Sequence, residues 1–142
     1  MTRASLLLPS LALTILIGCS SGRAPAADAS APHMRPAELG ASSALYFTLR
    51  NPGTDTLVLL AAEIDVASSA GIHQSMDHNG MASMQLVDSV VVPPQDSVRF
   101  SERGLHVMAI GLHAPLLVGD TVAVRLRFRG TRVDTVRVLV RE

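Results

Sequence analysis

Thr121-Val122-Ala123-Val124-Arg125-Leu126-Arg127-Phe128-Arg129 is the stretch that decides the fold class. Val122, Val124, Leu126 and Phe128 alternate with Thr121, Ala123, Arg125, Arg127 and Arg129, the period-two pattern of a half-buried strand. Gly130-Thr131 turns the chain, and Val136, Val138 and Val140 supply the next strand. The same period recurs upstream, where Leu45, Phe47 and Leu49 alternate with Tyr46, Thr48 and Arg50. Asn51-Pro52-Gly53-Thr54-Asp55 reads as a turn cluster. Leu57 to Val66 is a second apolar run, and Ile72 lies in a short strand ending near His73. Asn79-Gly80 is a hairpin signal. Met84 to Val92 continues as strand until Pro93-Pro94-Gln95-Asp96 stops it, and Val98, Phe100 and Leu105 to Ile110 follow. About eight short strands with turns every 8–12 residues predict an antiparallel sandwich or barrel. Ala61 to Ala70 also admits a helical turn, since its alanines favour helix. With Trp absent and Tyr46, Phe47, Phe100 and Phe128 the aromatic residues, the core must be mostly Val and Leu.

The N-terminal part reads differently. Met1 to Gly18 carries Arg3 and an apolar run from Leu6 to Ile17, too short to span a bilayer comfortably and suited to a signal peptide. Leu16-Ile17-Gly18-Cys19 resembles a bacterial lipobox, which implies cleavage before Cys19 and lipidation of its sulfur. An ordinary signal peptide ending near a cysteine is the alternative. Residues 19–36, rich in Ala, Ser and Pro, read as a flexible tether. Residues 37–142 are one domain's worth.

Cys19 is the one cysteine, so the folded part can form no intrachain disulfide and must stand on its core. Its absence from the domain also excludes blue copper, thiolate zinc and a thiol nucleophile. Twelve Arg balance twelve Asp and Glu, with no Lys; losing Arg3 with the signal peptide leaves a formal charge of −1. No basic footprint for nucleic acid follows. The late arginines (Arg125, Arg127, Arg129, Arg132, Arg137, Arg141) read as a solvated strand face.

One constellation carries chemistry. Ten residues separate His73 from Met84, and twenty-one separate Met84 from His106-Val107-Met108. Thioether sulfur is soft and uncharged; it suits Cu(I) and is a poor match for hard cations. Zinc more often takes thiolate, imidazole and carboxylate. His106 and Met108 are two apart on a predicted strand and share a face. If the strands around Asn79-Gly80 pair, His73 and Met84 approach each other across the hairpin. Imidazole must be neutral to coordinate, so binding should weaken as pH falls through the ordinary histidine range near about 6.5. Met76, His78 and Met81 lie between His73 and Met84 and read as loop residues; they are candidate auxiliary copper ligands that capture or pass on the ion, or incidental loop residues. His33 and Met34 in the tether are weaker candidates for recruiting copper, and His113 is expected to be exposed and no ligand. No Ser/His/Asp cluster or carboxylate pair accompanies the histidines, and no enzyme is predicted.

These residues resemble the PCuAC periplasmic copper chaperones, which carry a His-x10-Met-x21-His-x-Met motif in a cupredoxin-like Greek-key β-sandwich. His73, Met84, His106 and Met108 match that spacing without a gap. Ala44-Leu45-Tyr46-Phe47-Thr48-Leu49-Arg50-Asn51 and Gly104-Leu105-His106-Val107-Met108, with Gly111-Leu112 and Pro115-Leu116, are similar to the family as well. The resemblance spans about residues 40 to 141. It implies Cu(I) binding and delivery to a copper-accepting protein, such as a cytochrome c oxidase subunit or assembly factor. The lipobox is a departure from the motif and implies a carrier tethered to a membrane. Copper storage or resistance, and an immunoglobulin-like interaction module with incidental His and Met, are the alternatives.

Overall fold

A computed structural model describes residues 32–142; the signal peptide read over 1–18, Cys19 and the tether up to residue 31 lie outside the described residues. The described chain is all-β. Its strands are β1 (His33–Met34), β2 (Ser43–Asn51), β3 (Leu57–Ile64), β4 (Ala67–His78), β5 (Met81–Leu86), β6 (Val90–Val92), β7 (Asp96–Phe100), β8 (Leu105–Leu112), β9 (Thr121–Phe128) and β10 (Val133–Val140). They hydrogen-bond in the order β5-β4-β8-β7-β2-β1-β10-β9-β3-β6, with β8 also pairing β2. The crossovers and the two apolar faces closing on one core make a Greek-key β-sandwich. Pairing is antiparallel except at β1–β10 and β7–β8, which are parallel.

The period-two stretch behaves as its pattern requires. Val122, Val124, Leu126 and Phe128 are buried, while Thr121, Ala123 and Arg127 face solvent. Leu45, Leu49, Leu59, Val92, Val107, Val140 and Met34 are at most 1% exposed, so the core is aliphatic. Each such side chain contributes about 1.5–3 kcal/mol by leaving water. Phe47 and Phe100 stack inside it, 4.3 Å between centroids and 12° between planes. The turn after β2 is tied to the core by Asn51, which is 5% exposed. Its Nδ2 donates to the carbonyls of Asp55 (2.8 Å), Val92 (2.9 Å) and Pro93 (3.1 Å), and its Oδ1 accepts from the Gly53 amide at 3.1 Å.

One open alternative is settled and three details differ from the sequence reading. Ala67 to Ala70 is strand, because β4 pairs with β8 from Ala67↔Leu112 onward and tertiary pairing overrides alanine's helix preference. The run from Met84 to Val92 is two strands, since Val87-Asp88-Ser89 carries the chain from β5 to β6 on the opposite half. The strand through His73 extends to His78. His33 and Met34, read as tether, form β1 between β2 and β10, with the Met34 side chain fully buried.

Candidate metal centre

The predicted hairpin forms β4 and β5. Asn79 (φ 54°) and Gly80 (φ 80°) make its turn with positive φ at both positions, the geometry that matches strand twist. The Asp77 carboxylate accepts from the Gly80 amide at 2.9 Å and holds that turn.

Register decides what meets. His73 lies opposite Leu86 on β5 and opposite His106 on β8. Met84 lies opposite Ser75, one diagonal step from His73 and not directly across from it. Met108 lies opposite Gly71. Opposed residues project from one face, and so do residues two apart in a strand. His73, His106, Met108 and Met84 therefore share one face of β5-β4-β8. Val107 and Ala109 turn into the core, as expected. Diagonal neighbours stand about 7–8 Å apart, within reach of a long Met side chain.

The two imidazoles are 6.1 Å apart at their centroids and inclined by 25°. Each bonds the carbonyl of a glycine two residues earlier: His73 Nδ1 to Gly71 O at 3.2 Å, and His106 Nδ1 to Gly104 O at 3.1 Å. A carbonyl can only accept, so Nδ1 carries the proton in both rings. In the neutral ring this arrangement leaves the lone pair on Nε2, the form a metal-binding imidazole needs. Gly104 O also accepts from the Ser75 amide at 3.1 Å, which ties the β7–β8 turn to β4.

Burial is graded across the set. His106 is 3% exposed, His73 and Met108 are half-buried, and Met84 is 62% exposed. Tyr46 packs beside His106 at 6.4 Å, and His33 packs beside Tyr46 at 5.4 Å. Burial first, then the Glu102 carboxylate, push the Tyr46 hydroxyl above its ordinary pKa against the opposing Arg35, so it stays a neutral phenol. Among the described residues no three His, Cys, Asp or Glu side chains gather as a metal site. A cation held here must use the thioethers, which selects a soft ion.

Gly71 is packed into the site. A Cβ there would stand 3.1 Å from His73 Cε1 and 3.1 Å from Leu86 Cδ1. Gly71→Ala is expected to shift the His73 ring and weaken Cu(I) binding by about tenfold, the scale on which disturbing a ligand's support acts. Competition titration checks this, and a circular dichroism spectrum identical to the parent's shows that the fold is kept.

Met76, His78 and Met81 do not join the set. His78 lies opposite Met81, and Met76 is two residues before His78, so all three are on the reverse face of the hairpin. They are strand residues flanking the turn, which corrects the expectation that they sit in the loop. His113 is exposed and its Nε2 bonds Ser68 Oγ at 3.0 Å. Met34 is buried and cannot recruit an ion; His33 Nδ1 accepts from Arg141 at 3.3 Å. The late arginines pair along a solvated face: Arg125 and Arg127 with Glu63, Arg125 also with Asp65, and Arg132 with Asp134. Hydrogen bonds from Arg127 and Arg125 hold the Glu63 carboxyl below its ordinary pKa.

Sequence reasoning missed Gly71, Gly104 and Tyr46. The signal was present: Gly71-Ile72-His73 and Gly104-Leu105-His106 repeat Gly-x-His, and each glycine supplies the carbonyl that sets its ring.

Comparison with known proteins agrees with this architecture. Residues 28–140 match the family model described as "Putative lipoprotein LpqE-like". The chain is 31% identical over 101 residues to "Putative lipoprotein Lxx21020" of Leifsonia xyli subsp. xyli; the match covers 70% of this chain and 61% of that protein, so the chain spans less than two thirds of its relative's length. Among solved structures, CuI-DR1885 from Deinococcus radiodurans superposes with a TM-score of 0.63 at 28% identity, covering 83% of this chain and 81% of that one. The copper-bound PCuAC domain from PmoF2 superposes with a TM-score of 0.64 at 20% identity, covering 79% and 89%, and shows the shared fold. The family model covers most of the chain, and the protein therefore belongs to the LpqE-like lipoprotein family, with a PCuAC-type β-sandwich as its domain.

Proposed function

We propose that this protein is an extracytoplasmic, lipid-anchored Cu(I) carrier that does no catalysis. His73, Met84, His106 and Met108 hold the ion as cargo. The observation that carries this reading is the pair of glycine carbonyls that set both imidazoles with Nε2 free, on the one face that also bears two thioethers. Two related solved domains are described as copper-bound or Cu(I)-bound, which supports copper handling here.

The grading of burial suits a carrier. Three ligands sit on two central strands, and the fourth is an exposed, flexible methionine on the edge strand β5. Rotation of Met84 opens the site without disturbing the core. Exposed Leu86 and Ile110 flank the ligands on the same face and form an apolar rim for an acceptor protein. Delivery to the copper centre of cytochrome c oxidase is the specific route we propose.

Titration of the reduced protein with Cu(I) against a competing chelator tests the site. Met84→Leu is expected to weaken the tightest equivalent by about 10–100-fold while unfolding is unchanged, since the side chain is exposed. An unchanged affinity in Met84→Leu combined with Met108→Leu would sink the reading. We further assign Cys19 as the lipid attachment point, from the lipobox-like Leu16 to Cys19. Cys19→Ala is expected to move the protein from the membrane to the soluble fraction; equal membrane association of variant and parent would refute the assignment.

A further inference from the structure

The geometry points to a second soft-metal centre at the tip of the β4–β5 hairpin, formed by Met76, His78 and Met81. It presupposes that the protein handles Cu(I), and adds a site distinct from the four ligands above.

Three observations carry it. The first is register. His78 and Met81 are directly opposed across the turn, and Met76 is the same-face neighbour of His78. Directly opposed side chains start about 4.5–5.5 Å apart at Cβ, so an imidazole and a thioether there can share one ion. Met76 lies one diagonal step from Met81 and can complete a three-donor set.

The second is position. β4 pairs with β8 only as far as Gln74↔Leu105. Beyond Ser75, whose amide still bonds Gly104 O, β4 and β5 pair only with each other, as an arm at the end of the sheet. The reverse face of this arm is uncovered: His78 is exposed and Met81 is 72% exposed. A methionine so exposed fills no core, and its opposition to a histidine is left unexplained by packing.

The third is donor chemistry. The carboxylate within the hairpin, Asp77, projects from the other face and accepts from the Gly80 amide. The tip therefore offers two thioethers and one imidazole, with the uncharged Ser83 hydroxyl opposite Met76 and no carboxylate on that face of the hairpin. Such a set takes a monovalent soft ion and rejects Mg²⁺ or Ca²⁺. With two exposed donors and a half-buried Met76, against a first centre anchored by the buried His106, the tip binds more weakly and exchanges faster. It is placed to take Cu(I) from solution, or to hold a second ion, at the far end of the strands that carry His73 and Met84.

The test uses the full chain, Cu(I) under anaerobic reducing conditions, and chelators of graded strength. The parent is expected to bind two equivalents, the second at least about tenfold more weakly. Met76→Leu/His78→Ala/Met81→Leu should lose only the weaker equivalent, and Met84→Leu/His106→Ala only the tighter one. The methionine methyl resonances of Met84 and Met108 should move during the first equivalent, and those of Met76 and Met81 during the second. One equivalent in the parent, abolished by the Met84/His106 changes and untouched by the tip changes, overturns the second centre and leaves the carrier function standing. Loss of the tight equivalent in the tip variant, or two equivalents retained by it, also overturns the second centre. No binding by the parent overturns both.

Discussion

His106→Ala should lower Cu(I) affinity by more than about 100-fold, beyond the about 10–100-fold that losing a ligand's support usually costs. His106 is the buried anchor of the set. Its ring is 3% exposed, lies between Tyr46 and His73, and is fixed by Gly104 O. Alanine removes the donor and leaves a gap between the flanking rings, so a stability loss of about 1–3 kcal/mol should accompany it. The two effects are separable. His106→Phe keeps a flat ring between its neighbours and has no lone pair to offer. Gly104 O keeps its bond from the Ser75 amide in either variant, so no carbonyl is orphaned. His106→Phe should therefore recover most of the stability and none of the affinity. Chemical denaturation and competition titration on both variants decide it; parent-like affinity in either one removes His106 from the ligand set.

Phe100→Ala should cost about 3–5 kcal/mol, the usual range for truncating a buried aromatic side chain. Phe100 is 2% exposed and stacks on Phe47 across the β2–β7 pair. A domain of this size has about 5–15 kcal/mol in total, and the folded residues hold no cysteine for a disulfide to compensate. The variant is thus near its folding threshold, which a urea midpoint will show. Its position makes a second effect. Phe100 pairs in parallel with Leu105, and the turn between them presents Gly104 O to His106. Leu126→Ala, in the other half of the sandwich, is the control, with a cost of about 2–5 kcal/mol. Cu(I) affinity of the folded fraction should fall in Phe100→Ala and hold in Leu126→Ala. Equal affinities would show that the β7–β8 turn does not depend on Phe100 for its shape.

The candidate donor types and the fold class were legible because both are local properties. Alternation from Thr121 to Arg129 states which side chains leave water, whatever strand lies alongside. Asn79-Gly80 states a hairpin, because few residues accept positive φ at both turn positions. His106 and Met108 share a face by spacing alone. The helical alternative at Ala61 to Ala70 failed because alanine's preference is worth less than a ladder of hydrogen bonds to β8. Met34 was hidden because a two-residue strand has no period to read; its burial depends on β2 and β10, which arrive later in the chain.

By itself, then, the sequence determined an all-β sandwich with a Val/Leu core and a candidate soft donor set of two imidazoles and two thioethers. Tertiary structure alone decided that His73 faces His106, that Met84 stands one diagonal step from His73, and that Met76, His78 and Met81 lie on the reverse face. It also decided that Gly71 and Gly104 set the two tautomers. The physical reason is register. Spacing within one strand fixes the face a side chain takes, while the partners it meets there depend on how strands distant in sequence align, and a shift of one residue exchanges the faces.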